Sequence, residues 1–191
     1  MSFHIELPQL RAPPSLVPRC GKCGLKNHCK SPVMPLYGEG KKKILIVGES
    51  PGKLEDEQNI PFCGPSGQFL KHHLRRFGVE LKRDCWTTNS IICHPKNDEI
   101  KDEQSISYCR PNIIREIQTH APMVVILLGG AACKSVIGWL WKEEDTGGVM
   151  RWCGQHIPSQ KINAWICPTV HPSWVLRSMR DMPLAEKMFS D

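Results

Sequence analysis

Residues 41–52 read Lys-Lys-Lys-Ile-Leu-Ile-Val-Gly-Glu-Ser-Pro-Gly, and this stretch indicates the fold class. The short aliphatic run from Ile44 to Val47 is typical of a strand that is buried on both faces, as in a parallel sheet. Gly48 then ends the run, and the glycine, serine and proline that follow are turn-forming residues. The stretch therefore predicts a buried parallel strand with a polar loop at its carboxyl end.

The same alternation continues along the chain. Further strands are predicted at 86–92, 123–128 and 164–167, and helices at 66–77, 103–120, 131–141 and 172–180, with a kink or restart of the second helix at Pro111. Strands that alternate with helices predict an α/β fold, here a three-layer α/β/α domain over residues 1–191 with a central, mostly parallel four-stranded sheet. Sites in such folds lie beyond the carboxyl ends of the strands, where this chain carries polar or glycine-rich loops at 48–52, 88–89, 129–130 and 171–173.

Composition narrows the function classes. The chain has 191 residues, of which 40% are hydrophobic and 23% charged, as expected for one globular domain. The longest apolar run is far shorter than the roughly 20 residues of a membrane span, and the first twenty residues have no signal-peptide pattern. A cytoplasmic protein without membrane contact is expected. The net charge of +6 fits a polyanionic partner, and it fits an ordinary basic protein equally well.

Cysteine is abundant, with ten residues. Aliphatic runs argue against a secreted disulfide scaffold, and Cys20-x2-Cys23 has the spacing of a metal-binding pair. Cys93 and Cys109 flank fifteen residues, and the fold can bring them to the same place. Four thiolates suit a [4Fe–4S] cluster or a structural zinc ion equally, Cys29 is a competing ligand, and reduced core cysteines are the ordinary alternative.

Two longer motifs carry a family resemblance. Residues 48–56 and 61–67, Gly-Glu-Ser-Pro-Gly-Lys-Leu-Glu-Asp and Pro-Phe-Cys-Gly-Pro-Ser-Gly, resemble the first motif of the iron–sulfur uracil-DNA glycosylases. Residues 168–177, Pro-Thr-Val-His-Pro-Ser-Trp-Val-Leu-Arg, are similar to the second motif of that family. Residues 88–89 and 109–111 also fit, as does the spacing of the cysteines. The resemblance extends over residues 20–177, nearly the whole chain.

The resemblance implies an enzyme that hydrolyses the N-glycosidic bond of uracil in DNA, for base excision repair. It implies a [4Fe–4S] cluster on Cys20, Cys23, Cys93 and Cys109, which would staple the irregular, proline-rich residues 1–40. Uracil-containing DNA, single- or double-stranded, would be the partner of a monomer, with replication or repair proteins as further candidates. Ser50 departs from the usual alanine, and some relatives have a water-activating aspartate there. The alternatives are therefore a weak or inactive DNA-binding module and a glycosylase for another base.

Glycosidic cleavage requires a base pocket, a donor to the leaving base and a positioned water. An amide such as Asn89 can read the uracil edge, Phe62 can stack on the base, and His171 can donate to uracil O2. Core packing and turn capping are the ordinary roles of these residue types. Glu49 is the candidate for orienting water, with Glu55 and Asp56 as alternatives. Gly48 and Ser50 are further candidates for contact with the base. The candidates for contact with the DNA strand are Ser173, Trp174, Arg177 and Arg180.

Overall fold

A computed structural model describes residues 20–100, 103–142 and 145–178, and its centre is a five-stranded sheet. The strands are β1 (Ile44–Gly48), β2 (Cys85–Asn89), β3 (Val124–Leu128), β4 (Ile157–Ser159) and β5 (Ala164–Thr169), in the order β2-β1-β3-β5-β4. All neighbours are parallel except β4, which pairs antiparallel with β5. The predicted mostly parallel α/β fold is confirmed, but the count of four strands is wrong. The missed β4 is three residues long and contains Pro158, which a sheet tolerates at its edge.

The helices of the described residues are α1 (Lys53–Gln58), α2 (Pro65–Arg76), α3 (Leu81–Asp84), α4 (Gln104–His120), α5 (Gly130–Trp141) and α6 (Pro172–Arg177). Pro111 lies inside α4, which continues through it without a restart. The predicted end of the last helix, at 180, lies outside the described residues. Within the described residues, no helix has both the length and the hydropathy of a membrane-spanning segment.

Helices cover both faces of the sheet. On one face, side chains of α4 and α5 such as Ile113 and Val136 pack with Leu45 and Val47 of β1. On the other face, α2 and α3 pack their leucines against Ile46. Successive residues of β1 thus enter two different cores, because side chains alternate along a strand. This arrangement explains why the run from 44 to 47 is continuously apolar.

The segment before β1 is irregular but attached to the sheet. Tyr37 pairs with Thr87 as an antiparallel bridge on the outer edge of β2. The backbone N–H of Met34 donates to the carbonyl of Ile92 at 2.7 Å. These bonds occupy the free edge of β2 and bring the N-terminal cysteines close to the loop that follows β2.

The strand order creates a crevice above β1. The chain passes from β1 to β2 on one side and then returns to β3 on the other side of β1. Where the connections that follow two neighbouring parallel strands run to opposite sides, the loops separate and leave room for a ligand. The loops after β1, β2 and β5 border this crevice.

Candidate active site

A cleft of about 410 Å³ opens at the carboxyl end of the sheet. It brings together most of the residues that the sequence suggested: Glu49, Ser50, Glu55, Phe62, Asn89, His171, Ser173 and Arg177. Trp174 is not part of the lining and packs with Val170 and Val175 instead. Arg180 lies outside the described residues. The cleft therefore joins the two sequence motifs, which are more than 100 positions apart in the chain.

Asn89 and Phe62 line the base of the cleft, and Gly48 lies directly against both of them. Gly48 is paired with Asn89 across β1 and β2. A Cβ on Gly48 would lie 2.4 Å from Asn89 Oδ1 and 2.9 Å from Phe62 Cζ, so the absent side chain leaves space for both groups. Asn89 is only 4% exposed, and its amide has no hydrogen-bond partner among the described residues. A buried, unpaired amide beside an aromatic ring suits a planar ligand with polar edges.

The backbone conformation of Phe62 is unusual. Its φ of 55° lies in the left-handed region, which non-glycine residues adopt rarely. The first turn of α2 leaves room for this conformation because Gly67 has no side chain. A Cβ at that position would lie 1.9 Å from the Phe62 carbonyl oxygen. The carboxylate of Glu55 adds a second restraint by accepting a hydrogen bond from the Gly64 N–H at 2.7 Å. The aromatic side of the cleft is thereby held from α1 and α2.

His171 is fixed in one tautomer. The Ser173 backbone N–H donates to His171 Nδ1 at 3.2 Å, and Ser173 Oγ lies 2.8 Å from the same nitrogen. Since Nδ1 accepts, the proton of the neutral ring is on Nε2. Burial, reinforced by the positive charge of Arg177, lowers the pKa of His171 to about 4. The side chain is therefore a neutral donor at physiological pH.

Glu49 lies at the N-terminus of α5. Its Oε1 accepts a hydrogen bond from the Ala131 N–H at 3.4 Å. Burial raises the pKa of Glu49, while the N–H groups of Ala131 and Gly130 and the charge of Arg177 oppose that rise. Gly129 permits this approach, because its φ is 91° and a Cβ there would lie 2.5 Å from Glu49 Oε1. The predicted loop at 129–130 thus holds the carboxylate.

Two charged residues of the cleft were not anticipated from the sequence. Lys53 lines it as the first residue of α1, a helix too short to leave a clear periodic pattern. Asp98 lines it from the loop after β2, where Asn97 and Asp98 have φ values of 61° and 58°. The Asn-Asp pair is the available signal, since these residues tolerate left-handed turns.

The four predicted ligand cysteines line a separate small cavity of about 20 Å³. Cys93 Sγ accepts a hydrogen bond from the Val33 N–H at 3.3 Å, and the Asn112 amide lies 3.6 Å from Cys109 Sγ. Burial raises the pKa of Cys93 to about 12 and that of Cys109 to about 11. Over the described parts of the chain, no group of three or more Cys, His, Asp or Glu side chains is arranged to hold a metal ion.

Comparison with known proteins adds independent information. Residues 35–190 match the model of the uracil DNA glycosylase superfamily. The chain is 35% identical over 164 residues to a type-4 uracil-DNA glycosylase of Pyrobaculum aerophilum, a match that covers 85% of this chain and 82% of the relative. The type-4 enzyme of Saccharolobus solfataricus is 31% identical, over 84% of this chain and 74% of the relative. That of Thermotoga maritima is 28% identical, over 85% and 80%.

Proposed function

Because the chain belongs to the uracil DNA glycosylase superfamily, we propose that it excises uracil from DNA. The reaction hydrolyses the N-glycosidic bond and leaves an abasic site, which is the entry to base excision repair. The observation that carries the proposal is the His171 imidazole, neutral and with its proton on Nε2, in the same cleft as the unpaired Asn89 amide and the Phe62 ring.

Recognition of uracil is assigned to the base of the cleft. The Asn89 amide offers one acceptor and two donor hydrogens, which match the N3–H and O4 of uracil. Cytosine presents an acceptor and an amino group at these positions, so the same amide orientation leaves buried groups unpaired and rejects it. Phe62 provides a face on which the extruded pyrimidine stacks. Gly48 keeps this space open, since any side chain there would fill it.

His171 stabilises the leaving base. As the glycosidic bond breaks, its electron pair goes to the base and negative charge develops on uracil O2. A neutral Nε2–H that donates to O2 stabilises this charge in the transition state more than in the ground state, as oxyanion donors do. Because Nδ1 is held by Ser173, the donating nitrogen needs no reorientation during the reaction.

Glu49 acts on the sugar and on the attacking water. Its carboxylate accepts a hydrogen bond from the attacking water and balances the positive charge that develops on the sugar. Ser50 adjoins it but cannot remove a proton at neutral pH, as a carboxylate can. The mechanism therefore rests on stabilisation of the sugar cation and of the leaving base rather than on a strong base at residue 50.

The strand is held around the cleft by groups of several kinds. Lys53 and Arg177 are exposed cations of the lining, and they are placed to contact phosphates on either side of the extruded nucleotide. The Ser173 hydroxyl, in the first turn of α6, donates to the phosphate backbone of the DNA. Trp174 packs inward, so its contribution is to support that loop. We further propose that the protein acts as a monomer in the cytoplasm, on single- or double-stranded DNA and alongside replication or repair proteins.

A [4Fe–4S] cluster on Cys20, Cys23, Cys93 and Cys109 is the proposed cofactor. The chemistry of the donor set supports this proposal, because all four cysteines line one cavity whose other walls include Ile91 and Ile92. Two of their sulfurs are near N–H donors, as cluster thiolates require. The cluster would link the segment before β1 to the loop after β2 and to α4, a structural role.

The test is uracil release from an oligonucleotide that carries one uracil, either single-stranded or paired with guanine or adenine. We expect strand cleavage after alkali in all three cases, and a His171→Ala variant that remains folded serves as the control for contaminating enzymes. Binding without release of any base by folded, iron-containing protein would favour the inactive DNA-binding module. Release of another base alone would move the proposal to that base.

A further inference from the structure

Exposed cations lie together at the end of the sheet that is remote from the cleft. We call this surface the basic face, and it consists of Lys41, Lys42, Lys43, Arg75, Arg76, Lys82 and Arg83. These residues belong to the loop before β1, to the last turn of α2 and to α3, which directly precedes β2. The basic face therefore lies where β1 and β2 begin, whereas the cleft lies where they end.

Hydrogen bonds join the three segments into one surface. The backbone N–H of Lys41 donates to the Arg83 carbonyl at 3.0 Å, and that of Lys42 donates to the Asp84 carbonyl at 3.0 Å. The ammonium group of Lys42 lies 3.5 Å from the carbonyl of Gly78, just beyond the end of α2. The cations are thus placed side by side by the packing of the chain.

The basic face carries more positive charge than its own carboxylates balance. Its ion pairs are Lys41 with Glu39, Arg75 with Glu80, and Arg83 with Asp84. The remaining cations form no ion pair within the described part of the chain: Lys42, Lys43, Arg76 and Lys82. Asp84 is only 2% exposed, so its carboxylate is withdrawn from the surface. An excess of exposed cations at one place attracts a polyanion such as the phosphate backbone of a nucleic acid.

An exposed aromatic ring lies next to these cations. Phe77 follows Arg76 at the end of α2, and it is 56% exposed. Proteins that bind single strands combine cations, which contact the phosphates, with aromatic rings on which the bases stack. The bases of a duplex stack on each other and leave no free face for such a ring. Phe77 therefore favours a single strand over a duplex as the ligand of the basic face.

We propose that the basic face binds single-stranded DNA at a site separate from the cleft, through phosphate contacts and stacking of a base on Phe77. α2 begins with Pro65 at the rim of the cleft, and its 12 residues extend over about 18 Å to the basic face. At about 3.4 Å per nucleotide of a stacked strand, this distance corresponds to about five nucleotides. A nucleotide in the cleft and its immediate neighbours do not reach the basic face, whereas a longer strand does.

The first test measures the affinity of the full chain for a fluorescent, uracil-free single strand of about 16 nucleotides by anisotropy. The variant Lys42→Gln/Arg76→Gln/Lys82→Gln should bind about tenfold more weakly, and the slope of log affinity against log salt concentration should decrease by about two. The matched control removes the same charge from exposed positions elsewhere, by Lys142→Gln/Arg151→Gln/Lys161→Gln, and should bind like the original protein. Equal affinities of the two triple variants would overturn the proposal.

The second test concerns the aromatic ring. Phe77→Ala should bind the single strand about tenfold more weakly and a duplex of the same length unchanged, because only the unpaired bases stack on the ring. Trp141→Ala is its control, since this exposed ring ends α5 on the opposite face of the sheet, and it should have no effect. An unchanged affinity of Phe77→Ala for the single strand would overturn the assignment to single-stranded DNA.

A kinetic measurement separates the basic face from the cleft. Uracil release from a trinucleotide with a central uracil should be equal in the original protein, the basic-face triple variant and Phe77→Ala, because this substrate is too short to reach the basic face. KM for a single strand of about 16 nucleotides should increase in both variants. Equal losses on the two substrates would overturn the separate site. An original protein that binds the single strand but releases no uracil would instead refute uracil excision and leave the basic face supported.

Discussion

The protonation of His171 can be tested quantitatively. Burial and Arg177 lower its pKa from 6.5 to about 4. This lowering disfavours protonation of His171 in the folded protein by about 3 kcal/mol. At pH 5, about one tenth of His171 would carry the extra proton, compared with about 97% of a histidine with an ordinary pKa. The unfolded chain binds this proton first, so the free energy of unfolding decreases as the pH falls from about 6.5 to about 4.

The assay is a nitrogen-15 NMR titration of labelled histidines between pH 3 and 8, with His171→Asn used to assign the signal. We expect the shifts of an Nε2–H tautomer and a midpoint near 4. In single-turnover uracil release, His171→Ala should be slower by about 100- to 1000-fold, the cost of removing one oxyanion donor. His72→Ala, on the exposed side of α2, is the matched control and should be unchanged. A midpoint near 6.5, an Nδ1–H tautomer or full activity of His171→Ala would refute this assignment.

Four further predictions address other groups. Asn89→Ala should lower kcat/KM for uracil about 10- to 100-fold, since it removes buried hydrogen bonds to the base; an unchanged value would exclude Asn89 from recognition. Gly48→Ala should abolish release in a folded protein, because the methyl group would meet Asn89 and Phe62, and activity at the original level would contradict the pocket. In the pH–rate profile of the original protein, activity should fall below an apparent pKa that is higher than the ordinary glutamate value, since burial raises the pKa of Glu49 and only the ionised carboxylate acts. Glu49→Gln should remove this decrease at acidic pH. Asp56→Ala should reduce the free energy of unfolding by about 2–4 kcal/mol in a denaturant titration, because the backbone N–H groups of Lys30 and Ser31 lose their buried, charged acceptor; no change would show that water replaces it.

The sequence predicted the parallel core because β1 is buried on both faces. A strand of that kind must be apolar at every position, and Ile44 to Val47 meets this requirement without alternation. The edge strand β4 gives no such signal, since it pairs on one side only and includes Pro158. Two helices were missed for a related reason, because α1 and α3 have 6 and 4 residues and cannot display a helical period.

Placement in the cleft was predictable wherever a residue directly follows a strand. Asn89 ends β2 and His171 follows β5, and parallel strands deliver such residues to the same rim. Lys53 and Asp98 depend on a short helix and on a left-handed turn, which sequence periodicity does not encode. Trp174 shows the converse limit. It follows His171 closely in the chain, but the turn into α6 directs it into the hydrophobic cluster of Val170 and Val175.

Burial acts in opposite directions on the two groups that we assign to catalysis. It raises the pKa of Glu49, which the α5 N–H groups counteract, and it lowers the pKa of His171, which the charge of Arg177 lowers further. A protonated His171 would add a positive charge to the cleft, which would oppose the positive charge that develops on the sugar. A neutral His171 still stabilises the leaving base through its N–H dipole, and the full negative charge of Glu49 remains available to the sugar. Separation of the two charges of the transition state therefore depends on keeping the histidine unprotonated, and Ser173 and the buried cleft together do this.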